Sequence, residues 1–281
     1  FAVRELGGKS GIVITASHNP KEYNGYKVYG EDGSQIVSPF DAEIIKSVRK
    51  LSISDVNFKG NKKLLFSIGS DMDKAYLMRL KTLSLSQGAI KKQKDLPIVF
   101  TGIHGTGAVL VPKALKEFGF TNVLTVATQD KIDGNFPTVL SPNPEEPEAL
   151  QEAILLAKDV GAELVTGTDP DADRVGIAIP NHKGEFMLLN GNQTGSLLVN
   201  YLITRWRQQG KIKGKEFVAK TIVTTDLIDA IAKVNNVKVY NTLTGFKHIG
   251  AIIKHLDGKE QFIGGGEESY GYLAGDFVRD K

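Results

Sequence analysis

The chain has 281 residues, of which 41% are hydrophobic and 24% charged, so it can bury a sizeable core and is long enough for about two domains. Its 35 Lys and Arg against 32 Asp and Glu give a formal net charge of +3, too small to indicate a nucleic-acid partner. It has no cysteine, which excludes disulfides and thiolate metal sites, and no apolar run has the length of a membrane span or the architecture of a signal peptide. We therefore expect a cytoplasmic protein without nucleic-acid or membrane partners.

The first predicted element is a buried strand formed by the apolar run Gly11-Ile12-Val13-Ile14. The stretch Thr15-Ala16-Ser17-His18-Asn19-Pro20 follows, and its Asn-Pro turn places Ser17 at the end of that strand. The alternating residues of a second predicted strand bring Lys27 near Ser17 and His18. A hydroxyl, an imidazole and an ammonium near one point predict that Ser17 is a nucleophile that carries a phosphoryl group. A serine in an ordinary surface turn is the alternative that this stretch alone leaves open.

A Ser-Pro pair followed by acidic residues predicts a helix that runs from about Pro39 to Leu51. Residues 52–70 are polar and weakly patterned, so we place a domain boundary there. A helix over Met72–Leu83 comes next, and the basic run Lys91-Lys92-Gln93-Lys94 is expected to be a solvated loop.

From residue 97 onward, strand and helix patterns alternate. The predicted strands are Ile98–Thr101, Asn122–Ala127, Glu163–Thr166, Val175–Ile179, Phe217–Val223, Val237–Tyr240 and, last, Gln261–Ile263 before a glycine cluster. The predicted helices are Val109–Phe118, one that ends at Gly161, Gly191–Gln208, Asp226–Val234 and Phe246–Leu256. This order predicts an α/β fold of repeated α/β modules with mixed, mostly parallel sheets, and the pattern restarts near Pro97 and Gly191.

An acidic loop containing Asp169, Asp171 and Asp173 joins two predicted strands at the carboxyl end of the first, where open α/β sheets bind ligands. Alternate side chains of an extended segment face the same way, so the three carboxylates can converge. They repel one another unless a cation lies among them, and hard oxygen ligands suit Mg²⁺ or Ca²⁺. An EF-hand is excluded because Arg174 stands where that loop needs glycine and Pro180 stands where it needs glutamate. A solvated acidic turn without a cation is the remaining alternative.

A charge count connects the acidic loop to Ser17. Three carboxylates around a divalent cation leave a net charge of about −1, and a phosphoserine adds roughly −1.5 to −2. Such a site needs cations close by, and Arg174, Lys27 and His18 can provide them. Mg²⁺ shared by three aspartates and one phosphate oxygen would hold the phosphoryl group and polarise it for transfer.

The glycine-rich acidic stretch Gly264–Tyr272 follows the last predicted strand. Glycines permit close backbone approach, and carboxylates with a hydroxyl are groups that bind sugar hydroxyls. A tight turn with exposed acids is an equally good alternative for this stretch alone. The stretch Thr242–Lys247 is a second candidate ligand loop, and Gly102–Gly107 is interpreted as a strand-to-helix loop that lines the metal site.

Together these stretches resemble the α-D-phosphohexomutases, the phosphoglucomutase/phosphomannomutase superfamily. The stretch Thr15–Pro20 resembles the family's phosphoserine loop, Asp169–Arg174 its D-G-D-G-D-R metal loop, and Gly266–Ser269 its sugar-binding G-E-E-S loop. The order and spacing also match those of the family. The metal loop departs from the pattern in having Pro170 and Ala172 in place of glycines, which stiffens it but keeps all three carboxylates.

The resemblance implies a role for each residue of the first two motifs. Ser17 would carry the phosphoryl group and, with the aspartates, bind one Mg²⁺ per site. Arg174 would contact the phosphoserine, and Lys27 with His18 would assist proton transfer. The metal ligands implied in this way are Ser17, Asp169, Asp171 and Asp173.

The resemblance also implies a substrate and a reaction. Glu267 and Ser269 would hold the 3- and 4-hydroxyls of the sugar, and Thr244, Gly245 and Lys247 would form the neighbouring sugar loop. The phosphoserine would phosphorylate a hexose monophosphate, and the enzyme would take back the other phosphate, interconverting glucose 1-phosphate and glucose 6-phosphate through glucose 1,6-bisphosphate. The Glu-Glu-Ser sequence is more similar to phosphoglucomutases than to the bifunctional mannose enzymes.

The resemblance covers the chain but not the four-domain family fold. It implies a partial domain 1 over residues 1–68, domain 2 over 69–188 and an incomplete domain 3 over 189–281, without the start of domain 1 or domain 4. We therefore expect this piece alone to turn over poorly or not at all. A phosphomannomutase, a phosphopentomutase, a phosphoserine-dependent metal phosphatase and a non-catalytic sugar-phosphate binding module are the alternatives, and the sequence does not determine the oligomeric state.

Overall fold

The computed structural model describes residues 1–281, which form three units, each with its own sheet. The first unit begins with the short helix α1 (Ala2–Glu5) and continues into the antiparallel strands β1 (Ser10–Ile14) and β2 (Tyr26–Gly30). Val13 pairs with Lys27 in this hairpin. Helix α2 (Phe40–Val48) follows, three residues shorter at its C-terminal end than the sequence predicts.

Strand β1 forms where it was predicted, but the prediction that it is buried was wrong. Ile12 is 63% exposed and Ile14 is 68% exposed. The reason is that the sheet has only two strands, and the face that carries Ile12 and Ile14 is left open to solvent. An apolar run indicates that a strand can be buried, whereas burial itself depends on what packs against it.

An exposed segment containing two single 3-10 turns, Ile53–Asp55 and Lys62–Leu64, connects the first unit to helices α3 (Ser70–Lys81) and α4 (Gln87–Lys92). The basic run at residues 91–94 is exposed, as expected. Its first two lysines end α4, however, so the expected loop was wrong for them.

The second unit is a five-stranded sheet in the order β4-β3-β5-β6-β7. Its first three strands are parallel, and the last two are antiparallel to their neighbours. Helices cover it, and valines and alanines such as Val99, Val165 and Ala178 form the core. The elements of this unit are β3 (Ile98–Thr101), α5 (Gly107–Phe118), β4 (Val123–Thr125), a 3-10 turn (Pro147–Leu150), α6 (Gln151–Val160), β5 (Leu164–Thr168), β6 (Val175–Pro180) and β7 (Phe186–Leu189).

The third unit is a four-stranded sheet in the order β11-β10-β8-β9, again with three parallel strands and an antiparallel one at the edge. Its elements are α7 (Gly191–Gln208), β8 (Glu216–Thr221), α8 (Leu227–Val234), β9 (Lys238–Thr242), α9 (Phe246–Leu256), β10 (Gln261–Gly266) and β11 (Tyr272–Ala274). Two predictions fail here. β10 continues through the glycine cluster, and it is followed by a further strand, so it is not the last.

The second and third units share one topology, which confirms the predicted repetition of α/β modules. In each, the first strand is central, the second strand pairs on one side, the third pairs on the other side, and an antiparallel strand then extends the sheet. The acidic loop (β5 to β6) and the glycine-rich loop (β10 to β11) therefore occupy equivalent positions, at the switch from parallel to antiparallel pairing. None of the helices is both long enough and apolar enough to cross a lipid bilayer.

Candidate functional site

The metal loop, residues 169–174 between β5 and β6, brings three carboxylates together. Ligand oxygens of Asp169, Asp171 and Asp173 all lie within 4.8 Å of one another. Asp169 is fully buried, and its Oδ1 accepts hydrogen bonds from the backbone N–H groups of Asp173 and Arg174, both at 3.0 Å. The loop thus closes around its first aspartate. Ala172 takes a left-handed conformation, with φ of 59°, where the related motif has glycine.

The charges of this loop are only partly compensated. Burial, followed by the neighbouring carboxylates of Asp173 and Asp171, raises the pKa of Asp169 to about 8. Asp171 Oδ1 and Asp173 Oδ1 are buried and have no hydrogen-bond partner. Buried oxygens without a donor are costly, and three converging carboxylates are the donor set that Mg²⁺ and Ca²⁺ prefer. The residues therefore fit a hard divalent cation.

Ser17 lies beside this cluster, although it is 152 residues from Asp169 in sequence. Its Oγ is 3.2 Å from Asp169 Oδ2 and 3.1 Å from His18 Nδ1. Its backbone takes a left-handed conformation, with φ of 54°. Thr15 holds it in place, because Thr15 Oγ1 accepts the Ser17 N–H at 2.8 Å and donates to Asp171 Oδ2 at 3.1 Å. A single threonine thus connects the serine loop to the metal loop.

Of the two residues predicted to assist proton transfer at Ser17, His18 lies beside the serine and Lys27 does not. Burial, followed by the nearby Arg174 guanidinium, lowers the pKa of His18 below its usual value of 6.5, so the ring beside Ser17 is neutral at pH 7. Lys27, on β2, contacts the aspartates instead of the serine, with its Nζ 2.8 Å from Asp173 Oδ2 and 3.2 Å from Asp171 Oδ2. Burial opposes its charge, but these carboxylates outweigh burial and raise the pKa of Lys27.

Arg174 does not contact Ser17. Its guanidinium binds Glu145 Oε1 at 2.6 Å, and Glu145 belongs to the long loop that precedes α6. A carboxylate partner of this kind orients the guanidinium and offsets its charge. Arg174 is close enough to affect the pKa of His18, but its hydrogen bond is directed to a residue that the sequence did not single out, and its predicted contact with a phosphoserine stays a prediction.

The sugar loop, residues 267–271, lies between β10 and β11. Its two glutamates already have hydrogen-bond or ion-pair partners within the protein. Glu267 is buried, its Oε1 accepting from the Gly245 N–H at 2.8 Å and its Oε2 lying 3.3 Å from Lys281 Nζ. Glu268 Oε2 accepts from the hydroxyls of Thr221 at 3.0 Å and Thr224 at 2.9 Å. These bonds join the sugar loop to the ends of β8 and β9.

Three other predicted sugar-binding side chains make no hydrogen bond within the chain. They are Thr244, which is exposed, and Lys247 and Ser269, which are half-buried. Two contacts bring the sugar and metal loops together. The Val175 N–H donates to the Tyr270 carbonyl at 3.0 Å, and Lys281 Nζ, near Glu267, is also 3.9 Å from Asp173 Oδ1.

The structure adds residues that sequence reasoning missed: Thr15, Glu145 and Lys281. Thr15 carried a usable signal, because it stands in the serine motif with its hydroxyl two positions before Ser17. Glu145 lies in a loop rich in prolines and asparagines, and Lys281 follows residues 275–280, which form no helix or strand. Neither has a spacing to the motifs that would reveal it.

The fold and the site define a class of α/β proteins in which repeated units present a hydroxyl, an acidic cluster and a second acidic loop to one another. Three family models match the chain in order, under the description phosphoglucomutase/phosphomannomutase, alpha/beta/alpha domain: domain I over residues 1–54, domain II over 74–184 and domain III over 190–281. A phosphoglucomutase of Staphylococcus epidermidis is 41% identical over 286 residues, covering 100% of this chain and 51% of that protein. The chain belongs to the phosphoglucomutase/phosphomannomutase family, and it spans about half the length of the curated relatives that it matches.

Solved structures share the fold. A candidate phosphomannomutase of Thermus thermophilus superposes with a TM-score of 0.74 and 25% identity, covering 100% of this chain and 58% of the other. The N-acetylphosphoglucosamine mutase of Aspergillus fumigatus, in complex with GlcNAc-6P and magnesium, superposes with a TM-score of 0.62 and 16% identity, covering 96% and 61%. A serine-to-alanine variant of that enzyme, in complex with glucose 1,6-bisphosphate, gives a TM-score of 0.60. At 16% identity the latter two demonstrate a common fold only.

Proposed function

We propose that this chain carries the phosphoserine, metal and sugar loops of a Mg²⁺-dependent phosphoglucomutase, an isomerase that works as an intramolecular phosphotransferase. It would interconvert glucose 1-phosphate and glucose 6-phosphate through a phosphoserine and glucose 1,6-bisphosphate. One observation carries the proposal: Ser17 Oγ is 3.2 Å from Asp169 Oδ2, at the edge of an aspartate cluster that retains unpaired buried oxygens. A hydroxyl there can become a phosphate ester whose oxygens reach a cation held by the cluster.

We assign the metal ligands to Asp169, Asp171, Asp173 and the phosphorylated Ser17. When bound, Mg²⁺ supplies charge neutralisation and polarises the phosphoryl group. Lys27 contributes a fixed positive charge to the same carboxylates, because its ion pairs keep it protonated. It is therefore better suited to balance charge than to accept a proton.

The proton of Ser17 has a natural acceptor in His18. When Ser17 Oγ attacks a phosphorus of glucose 1,6-bisphosphate, the new Oγ–P bond forms, the P–O bond to the sugar breaks, and the hydroxyl proton goes to His18 Nδ1, 3.1 Å away. The departing sugar oxygen takes a proton in turn. Lys281 Nζ, between the metal and sugar loops, is the ammonium placed to supply it. Arg174 would add positive charge beside the phosphoserine.

On the sugar side, we assign substrate binding to Glu267, Ser269, Thr244, Gly245 and Lys247. The free hydroxyl of Ser269 and the free side chains of Thr244 and Lys247 support direct contacts with a sugar phosphate. Glu267 already has a partner on each oxygen, so it would bind a sugar hydroxyl by sharing or exchanging its contact with Lys281.

The curated relatives are named phosphoglucomutases, which favours glucose over the mannose and pentose alternatives. Magnesium, GlcNAc-6P and glucose 1,6-bisphosphate in fold neighbours support a hexose phosphate substrate, the metal and the bisphosphate as intermediate and activator. The division into residues 1–68, 69–188 and 189–281 and a cytoplasmic location, from the cysteine-free composition, remain parts of the proposal.

The experiment is to incubate the chain with Mg²⁺ and glucose 1,6-bisphosphate and to measure intact mass and the modified peptide. We expect one added phosphate on Ser17, none in Ser17→Ala, and an unchanged yield in Ser10→Ala, whose hydroxyl lies on the same hairpin and bonds only the Tyr29 carbonyl. Phosphate on another residue, or equal labelling of Ser17→Ala, would remove Ser17 from the mechanism. Release of inorganic phosphate without glucose 6-phosphate would favour the phosphatase alternative.

A further inference from the structure

The loop that follows β3, Gly102–Gly107, packs directly against the metal loop. Thr106 makes two hydrogen bonds to one acceptor, the carbonyl of Pro170, from its N–H at 2.8 Å and from its Oγ1 at 3.0 Å. Pro170 immediately follows Asp169, the buried member of the aspartate cluster. The backbone between the first two aspartates is therefore held by a residue that itself contacts no carboxylate.

The two loops are too close to admit side chains between them. A Cβ on Gly105 would lie 2.3 Å from Pro170 Cα, and a Cβ on Gly107 would lie 2.2 Å from Thr168 Oγ1 and 3.5 Å from Ala172 Cβ. The Gly105 clash is with backbone, so it cannot be relieved by a side-chain rotation. The metal loop consequently follows the shape of the Gly102–Gly107 loop on both sides of Asp169.

The Gly102–Gly107 loop is itself rigidly held. Ile103 and His104 are both buried and both left-handed, with φ of 46° and 60°, conformations that persist only where the surroundings impose them. The His104 ring is bound at both nitrogens, Nδ1 to the Lys131 carbonyl at 3.1 Å and Nε2 to Thr138 Oγ1 at 3.0 Å. Because a carbonyl only accepts, Nδ1 is the donor. These bonds fix the loop independently of any cation.

We propose that the Gly102–Gly107 loop is a rigid template that sets the spacing of Asp169, Asp171 and Asp173, with Thr106 and Gly105 as positioning residues for the cation. The inference rests on the metal binding in the proposed function. Neither residue touches the cation, and both act through the backbone at Pro170. Pro170 stands where the related motif has glycine, so the metal loop that this template holds has a stiffer backbone than the related motif.

The test measures Mn²⁺ binding to the 281-residue chain by electron paramagnetic resonance of the free ion. Groups that bond a metal ligand directly change metal affinity about 10–100-fold. Thr106 acts one step further out, so Thr106→Val, which keeps the N–H bond but loses the hydroxyl bond, should raise the Kd by less, about three- to tenfold. Thr106→Ser should restore it. The matched control is Thr121→Val at the other end of the sheet. The Thr121 N–H donates to the Lys94 carbonyl at 2.7 Å, and its Oγ1 lies 3.0 Å from the same carbonyl and 2.6 Å from Asp95 Oδ1.

A second pair of variants tests the close approach. Gly105→Ala should raise the Kd about tenfold or more, whereas Gly134→Ala, with no atom near its added Cβ, should leave it unchanged. Unaltered Mn²⁺ affinity in both Thr106→Val and Gly105→Ala would overturn the template while leaving the proposed function intact. A wild-type chain that binds no Mn²⁺ would overturn both. Equal loss in Thr121→Val would show a general effect on stability and would also overturn it.

Discussion

The metal loop and the sugar loop are equivalent parts of a repeated unit. Each connects the third parallel strand of its sheet to the antiparallel strand that follows, and each contains one non-glycine residue in the left-handed region, Ala172 with φ of 59° and Tyr270 with φ of 67°. Each also begins with a buried acidic residue, Asp169 in one and Glu267 in the other. The shared topology thus places buried carboxylates at equivalent positions in the two units.

The loops differ in what surrounds those carboxylates. Asp171 and Asp173 keep buried oxygens without donors, whereas Glu267 and Glu268 receive hydrogen bonds from backbone and threonine hydroxyls. An unpaired buried carboxylate oxygen favours a cation, and a paired one favours a fixed loop shape. Position in the fold therefore supplies the acids, and the nearby donors determine whether their oxygens stay unpaired or take part in a hydrogen-bonded loop.

The largest expected effect is a loss of metal affinity when an acid of the metal loop, but not of the sugar loop, is replaced. Asp173→Asn should weaken Mn²⁺ or Mg²⁺ binding about 100-fold, because it removes a charged oxygen ligand. Glu268→Gln should leave metal affinity unchanged and lower the free energy of unfolding by about 1–2 kcal/mol, since two hydroxyls lose a charged acceptor. Titration calorimetry and urea unfolding measure the two quantities. If Glu268→Gln weakened metal binding as much as Asp173→Asn, the distinction between the loops would be lost.

A second prediction compares Lys27 and Lys281, the lysines that pair with acids of the metal loop and the sugar loop. Lys27→Met leaves Asp171 and Asp173 without their ion-pair partner and should lower the free energy of unfolding by about 2 kcal/mol. Saturating Mg²⁺ should recover most of that loss. Without Lys27 the cation has no competitor for Asp171 and Asp173, so it stabilises the folded variant more than the folded wild type. Lys281→Met removes the 3.3 Å partner of Glu267 and only a 3.9 Å contact with Asp173, so it should also destabilise the chain, but with much less recovery in Mg²⁺. Thermal unfolding with and without Mg²⁺ distinguishes the outcomes, and equal recovery in both variants would contradict the prediction.

The smallest expected effect concerns the backbone of the metal loop. Ala172→Gly should raise the free energy of unfolding by about 1 kcal/mol, because a left-handed alanine is strained and a glycine is not. The matched control is Ala89→Gly in helix α4, where the change should have the opposite sign and a similar size. Urea unfolding measures both. Destabilisation by Ala172→Gly would mean that the side chain of Ala172 contributes more than its backbone costs.

Much of the fold and of the site could be predicted from local sequence. The alternation of strands and helices from residue 97 predicted the repeated α/β units, and the serine and aspartate motifs predicted which residues the structure brings together. The glycines at 264–266 were misleading, because they suggested a loop. A Cβ at Gly265 would lie 1.9 Å from the Ala219 carbonyl oxygen, so glycine serves close pairing of β10 with β8.

Other features depend on contacts between distant segments, which a single sequence does not reveal. The exposure of Ile12 and Ile14 follows from the number of strands in their sheet, not from their own apolar character. The partners Glu145 and Lys281 reach the site through loops with no motif of their own. Sequence therefore predicted which hydroxyl and carboxylates lie together better than it predicted the groups that orient them.

The hydrogen bond from the Val175 N–H to the Tyr270 carbonyl has a mechanical consequence. Val175 follows the metal loop directly, and Tyr270 lies within the sugar loop, so this bond joins the two loops at a fixed point. A shift of either loop is therefore passed to the other through the backbone, without any side chain between them.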